Sequence, residues 1–476
     1  MRRLLCSFLN APCETTERAV LLRQHSLVPY YLHRFGQSDS GQFRPENGLA
    51  VTSPEPIPLP LPLRRPASSA ETAWCLYDWG NSAFATVCMT AVLPPYLAAL
   101  ANRELGVPAG TVAWGWFAAL GLACGAVLAP PLGALADSRG CRRAMLALFA
   151  FLGAAATAAL ALVLPASWRL GGALYVVAAT GFAGANAFYD GLLPGLAPPH
   201  RWDRISAKGY SWGYAGGGLV LVAAAALAMA VPTGDLGLRL AFGLVACWWA
   251  IFTIPLLLRV PEPAVSGSEG ALARLRRTLA EARRQPVLWR FLLAYWLFSD
   301  GIGTVIKMAA AYGAELGLPM KGMLLAFVLT QAIGIPSTLL FARLATRVGT
   351  KRGIQLALVG YVVVVGLGYF MQRTWHFFVL AGLMGLVLGG AQALSRSFYA
   401  RLVPPGREAE YFSFLDVSGR MAGVLGPDLF SLLAWLCGSG RSGVAVVALL
   451  FIAGGWLLER VPEPKVACQD PEVVCK

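Results

Sequence analysis

Apolar residues run along this chain in long unbroken blocks. They do not alternate with polar ones. The first block, 74–97, reads WCLYDWGNSAFATVCMTAVLPPYL. Continuous runs of this length suit helices crossing a hydrocarbon layer of about 30 Å, which takes roughly 20 helical residues. Backbone groups in lipid must be satisfied within the segment, and the lack of alternation argues against a barrel. The pattern predicts twelve spans, near 75–101, 112–136, 143–165, 170–195, 208–231, 238–258, 288–312, 321–343, 353–372, 376–399, 411–436 and 441–459.

Composition agrees. The 476 residues are 57% hydrophobic and 13% charged, against about 25% charged in soluble proteins. The expected class is an all-α membrane protein with twelve transmembrane helices in two six-helix bundles. The net charge is +14, but the basic residues sit between apolar runs. That placement favours membrane topology and lipid headgroups over nucleic acid. Ten cysteines and four histidines are scattered, without C-x-x-C, so no metal or cofactor is expected.

Loop charge then sets orientation. The loops after even-numbered spans carry Arg139/Arg142/Arg143, Arg201/Arg204, an Arg run from Arg274 to Arg284, Arg347/Lys351/Arg352 and Arg407. The other loops are poorer in charge. The positive-inside rule places both termini in the cytoplasm. Residues 1–72 read as a Pro-rich disordered tail or an overlong start, followed by bundles at 73–258 and 288–460. A basic central loop at 259–287 separates them, and a tail follows at 461–476.

The halves resemble each other. GALADSRGCRR (133–143) follows span 2, and FARLATRVGTKR (341–352) follows span 8. GANAFYDGLLPGLAPP from Gly184 matches GAQALSRSFYARLVPP from Gly390 at an offset of 206, pairing Asn186 with Gln392. Such a duplication is the architecture of a two-bundle transporter, with its solute between the halves.

The loop segment at 133–143 resembles the motif of the major facilitator superfamily. YDWGNSAFATV, NAFYDGLLP, SAKGYSWGYAGGG, FLLAYWLFSDGIGTV, GGAQALSRSFYARLVP and VLGPDLF resemble the vacuole-effluxer, or autophagy-protein-22-like, family. The resemblance runs from about 72 to 460. It implies a multi-pass secondary transporter, and fungal members are implicated in moving amino acids out of the vacuole. It also implies a place for Asp137, Arg142 and Arg143 in a cytoplasmic gate. The chain departs from the family pattern at Gly80, Asp190 and Asp428.

Intramembrane charge marks the candidate site, since each such group costs about 2.5–3.5 kcal/mol at the bilayer centre. Asp300 lies near the middle of span 7, with Thr304 and Lys307 at i+4 and i+7 on its face. It reads as a proton-coupling carboxylate or as a helix-packing hydrogen-bond group. Asp78 and Asn81 open span 1, where a gate role and a helix-capping role both stand. Asn186, Tyr189 and Asp190 in span 4, Gln392 and Arg396 in span 10, and Asp416 and Arg420 in span 11 gather on the same side. Asp416 and Arg420 can pair at i, i+4. The expectation is a substrate and coupling set of Asp300, Thr304, Lys307, Asn186, Tyr189 and Gln392. Asp78, Asn81, Asp137, Arg142, Arg143, Asp190, Arg396, Asp416 and Arg420 would form the gate.

The functional expectation is a monomeric secondary transporter in a bacterial inner membrane. It would export a small polar solute, such as an amino acid, with proton coupling. A sensor on a transporter fold, or transport of a sugar or peptide, is the alternative. No G-x-x-x-x-G-K-[ST], H-E-x-x-H or G-x-S-x-G occurs, so neither ATP-driven transport nor hydrolysis is expected.

Overall fold

The computed structural model describes residues 69–106, 109–231, 235–262, 284–315, 320–371, 373–421 and 440–463, with isolated positions between them. The tail up to residue 68, most of the central loop, and Asp428 lie outside the described residues. So do the side chains of Lys307 and Arg420. Every described element is helical.

Span 1 is built from Ser69–Ala83, a π-helical stretch Phe84–Ala91, and Leu93–Leu105. Spans 2 to 6 are Ala109–Arg139, Arg142–Val163, Trp168–Gly191, Trp202–Ala230 and Leu236–Arg259. Spans 7 to 10 are Pro286–Glu315, Met320–Val348, Thr350–Tyr369 and Thr374–Ala400. Span 11 begins as Glu408–Met421, and span 12 is Gly440–Glu459. Nine stretches among the described residues are long and apolar enough to cross a membrane. Their outer faces carry large exposed apolar side chains, among them Trp116, Val127, Leu162 and Leu258, as a lipid-facing surface requires.

Several helices run further than their apolar blocks. Span 1 starts at Ser69, span 5 at Trp202, and span 8 continues to Val348. All three extensions are at the end that carries the basic loops. Hydropathy marks the lipid-facing length, whereas these polar turns are held by other helices.

Spans 1 to 6 pack on one another, as do spans 7 to 12. The two sets meet where span 5 crosses span 8 and span 2 crosses span 11, with further contact of span 11 on span 4 and span 10 on span 5. The 5–8 and 2–11 crossings are equivalents under the duplication. Small residues permit the closest approach. A Cβ on Gly216 of span 5 would stand 2.2 Å from the carbonyl oxygen of Trp79 in span 1. The glycine run is therefore a packing groove for span 1.

Candidate functional site

The centre of the basic end is Arg396 of span 10, whose side chain is 4% exposed. Its Nη1 donates to Asp190 Oδ1 in span 4 at 2.9 Å. Its Nη2 approaches Asp78 Oδ2 in span 1 at 3.3 Å and donates to the Ser206 carbonyl at 3.0 Å. Nε donates to Ser206 Oγ at 2.9 Å. The guanidinium stands over the rings of Tyr210, Trp74 and Tyr189, 4.3, 4.7 and 5.4 Å from their centroids. A desolvated cation over aromatic faces gains electrostatically from their quadrupoles. Here it is also paired, as a buried charge must be.

The local sequence explains how this box is assembled. Trp74 stacks on Tyr189 with centroids 4.3 Å apart, and its Nε1 donates to the Tyr189 carbonyl at 3.0 Å. That contact fixes span 1 against span 4. Tyr189 then donates its hydroxyl to Asp78 Oδ2 at 2.7 Å. Gly209 of span 5 leaves the room. A Cβ there would lie 2.7 Å from both Asp78 Oδ2 and the Trp74 ring. Asp78 lies well inside the helix that begins at Ser69, so it caps no helix.

Two further contacts join the halves at this end. At span 2 and span 11, Arg142 pairs with Asp137 and with Glu408, both at 2.5 Å. Asp137 also accepts the backbone N–H groups of Ala409 and Glu410 at 3.2 and 2.9 Å. The carboxylate of one half thus caps the first turn of a helix in the other. At span 5 and span 10, Arg401 Nη2 pairs with Asp203 at 2.8 Å. Thr350 and Ser397 donate their hydroxyls to the same carboxylate at 2.7 and 2.5 Å. Each of these sites sets an acid at the start of span 5 or 11 against the opposite half.

The structure brings Asp78, Asp190 and Arg396 together, and separately Asp137 with Arg142. Arg143 is placed differently from the expectation. It pairs with Glu262 at 3.0 Å, within its own half. Asn81 donates to Asn186 at 2.6 Å, tying span 1 to span 4. The Tyr214 hydroxyl of span 5 donates to Gln392 at 3.3 Å. Asp416 is half-buried. Its pairing with Arg420 falls outside the described side chains.

Asp300 is buried at 1% exposure. A Cβ on Gly426 of span 11 would lie 3.2 Å from its Oδ2 and 2.0 Å from Thr304 Oγ1. Thr304 donates back to the Asp300 carbonyl at 2.7 Å. Both side chains are thus turned to span 11.

Above the ion pairs, towards the other end, lies a cavity of 260 Å³. Its polar lining is Thr86, Thr90, Thr330 and Gln331, set among apolar groups such as Phe327, Met384 and Leu388. Helical spacing relates the cavity to the ion pairs. On span 1, Thr86, Ser82 and Asp78 step down at four-residue intervals. On span 10, Leu388, Gln392 and Arg396 do the same. Eight residues cover about 12 Å, so one polar layer separates cavity floor from ion pair on both helices.

Sequence reasoning missed Asp203, Arg401, Glu408, Glu262 and Glu463. For the last two a signal was present. RVPEP occurs twice, at 259–263 and 460–464.

Residues 116–469 match the family described as vacuole effluxer Atg22 like. The uncharacterized MFS-type transporter YxiO of Bacillus subtilis (strain 168) is 36% identical over 405 residues, which covers 83% of this chain and 95% of that protein. Autophagy-related protein 22 of Coccidioides immitis (strain RS) is 23% identical over 516 residues, covering 82% and 86%. Among solved structures, the proton:xylose symporter XylE superposes with a TM-score of 0.65 at 16% identity, covering 84% of this chain and 95% of that one. At that identity the likeness is one of fold.

Proposed function

The chain belongs to the vacuole effluxer Atg22-like family, and from that premise we propose that it exports a small polar solute, an amino acid or a close relative, by proton-coupled alternating access. It is a multi-pass transporter of the major facilitator type and not an enzyme. The finer reading places it as a monomer in a bacterial cell membrane, with the basic end and both termini cytoplasmic.

One observation carries the reading. Arg396 is clamped between Asp78 and Asp190 at one end, while a cavity lies towards the other. That is the arrangement of a transporter closed on one side. Rocking the halves apart at the basic end would pull Arg396 of span 10 away from spans 1 and 4. It would also part Arg142 from Glu408 and Arg401 from Asp203.

The solute class follows from the chemistry between cavity and clamp. Thr86, Thr90, Thr330 and Gln331 offer hydrogen bonds within an otherwise apolar lining, which suits an apolar side chain on a polar head. A guanidinium beside two carboxylates is complementary to a zwitterion, whose carboxylate and ammonium groups could replace the internal pairs one for one. Proton coupling is assigned to Asp300, the acid buried deepest in its span. Protonation of Asp78 or Asp190 would in addition weaken the hold on Arg396.

Purified protein in proteoliposomes, offered labelled amino acids, peptides and sugars under imposed pH gradients, tests the proposal. Accumulation of an amino acid that follows the gradient is the expected result. Failure to move any member of the panel would overturn the transporter reading, and uptake confined to sugars or peptides would overturn the solute class.

A further inference from the structure

The repeated RVPEP segments lie just beyond spans 6 and 12, and they make the same contact in each half. In the first copy, Glu262 Oε1 accepts the backbone N–H of Arg142 at 2.5 Å, and its Oε2 accepts that of Arg143 at 3.1 Å. These are the first residues of span 3. In the second copy, Glu463 Oε1 accepts the N–H groups of Thr350 and Lys351 at 2.8 and 3.3 Å. These are the first residues of span 9. The glycine one or two positions before each helix, Gly140 or Gly349, has a positive φ, 61° and 93°. A chain reversal of this kind exposes the helix N-terminus to the incoming carboxylate.

Local sequence fixes each glutamate where it is needed. Span 6 ends at Arg259, and Val260 turns extended, with ψ at 125°. Proline next in sequence cannot continue the helix. Val260 and its counterpart Val461 are buried, at 1% and 0% exposure. They anchor the turn, so the glutamate two residues on is delivered to the neighbouring helix.

These contacts join span 6 to span 3 and span 12 to span 9, within one half each. They differ from the ion pairs of Arg396 with Asp78 and Asp190, of Arg142 with Glu408 and of Arg401 with Asp203, which join the halves. Rigid rocking breaks the second class and leaves the first intact. Yet the capped turns carry residues of that second class. Arg142, capped by Glu262, binds Glu408 across the interface. Thr350, capped by Glu463, binds Asp203 across it.

We propose that Glu262 and Glu463 are a duplicated pair of positioning residues, each bracing the helix start from which its half grips the other. The braces stay closed in both states of the transport cycle. They set the stability of the closed basic end without touching the residues of the opposite half. The inference rests on the alternating-access reading, but its test needs no transported solute.

Hydrogen–deuterium exchange on the full chain in detergent separates a brace from a local cap. Glu262→Gln removes the charge and one of the two oxygens that cap Arg142 and Arg143, so their amides should exchange up to about tenfold faster, the usual scale for weakening a helix cap. A brace predicts more. The amides of Ala409 and Glu410, in the other half and held by Asp137, should accelerate as well. Glu463→Gln should do the same for the first turn of span 5 around Asp203. Glu262→Asp, which keeps the charge, should restore part of the protection. Acceleration confined to the capped turn overturns the proposal, as does unchanged exchange throughout. If Glu262→Gln fails to fold, Glu463→Gln, with Glu463→Asp as its charge-keeping counterpart, gives the same reading. Uptake assays on the parent protein remain an independent check of transport itself.

Discussion

Asp190 and Arg396 occupy equivalent positions in the two halves and bond to each other, Oδ1 to Nη1 at 2.9 Å. Their separation of 206 positions is the offset of the internal duplication. A residue near the axis relating two similar halves necessarily approaches its own counterpart. Two like charges there would repel. This chain carries opposite charges instead, so the duplication closes on itself as an ion pair.

Removing the cation should therefore be costly. Arg396→Ala leaves buried Asp78 and half-buried Asp190 without their cation, and stranding a buried charge typically costs about 3–5 kcal/mol. A clear fall in the melting temperature of detergent-purified protein and loss of uptake are expected. Because the two sites are equivalent, exchanging the charges in Asp190→Arg/Arg396→Asp should recover part of what either single change loses. No recovery would show that the pair is not read directly.

Gly209→Ala should loosen the same site from the opposite side. The new Cβ would stand 2.7 Å from Asp78 Oδ2 and the Trp74 ring, too close for an ordinary contact. Span 5 must then move off span 1, and Arg396 loses its approach to Asp78. Increased labelling by a water-soluble thiol reagent at an introduced Ala207→Cys site, which is buried between the halves in the closed form, in a background with the native cysteines replaced, checks this.

Asp300→Asn isolates coupling from packing. The amide keeps the shape that fits against Gly426 and Thr304, but it cannot carry a proton. Accumulation driven by a pH gradient should disappear while solute exchange survives. Unchanged accumulation would assign coupling to the acids around Arg396.

The central-loop residue Glu281 gives a pH prediction outside the membrane. Arg277 and then Arg407 hold its carboxyl below the ordinary glutamate range. A group depressed on folding stabilises above its unfolded pKa of about 4.3. That contribution is lost as pH falls through the lower, folded value. Melting temperature should thus be insensitive to Glu281→Gln in its pH trend from 5 to 8, and should fall less steeply below about 4 in the variant. The group is partly exposed, so the effect is small.

The spans and the duplication were legible because hydropathy and spacing survive in one dimension. The gathering of Asp78, Asp190 and Arg396 was legible too. Alternating orientation alone puts them at one end. Which acid meets which base was not. Asp203 and Glu408 look like ordinary loop charges, since their partners lie 198 and 266 positions away. Arg143 stands beside Arg142, yet consecutive residues on a helix point about 100° apart, and only one of the two faces the other half. Asp300 shows the remaining limit. Depth in a span can be counted from sequence, but the neighbour that a side chain meets cannot.

The π-helical stretch of span 1 carries a consequence for movement. It lies between Asp78, tied to Arg396, and the outer piece that starts at Leu93. At its end the Val92 backbone N–H donates five residues back to the Val87 carbonyl at 2.9 Å. A wider turn holds one residue more than an α-turn. Passing that extra residue along the helix would rotate one segment relative to the other by about 100°. Span 1 is thus jointed at the cavity wall. Thr86 and Thr90 could swing as its far segment turns, while Asp78 stays where Arg396 holds it.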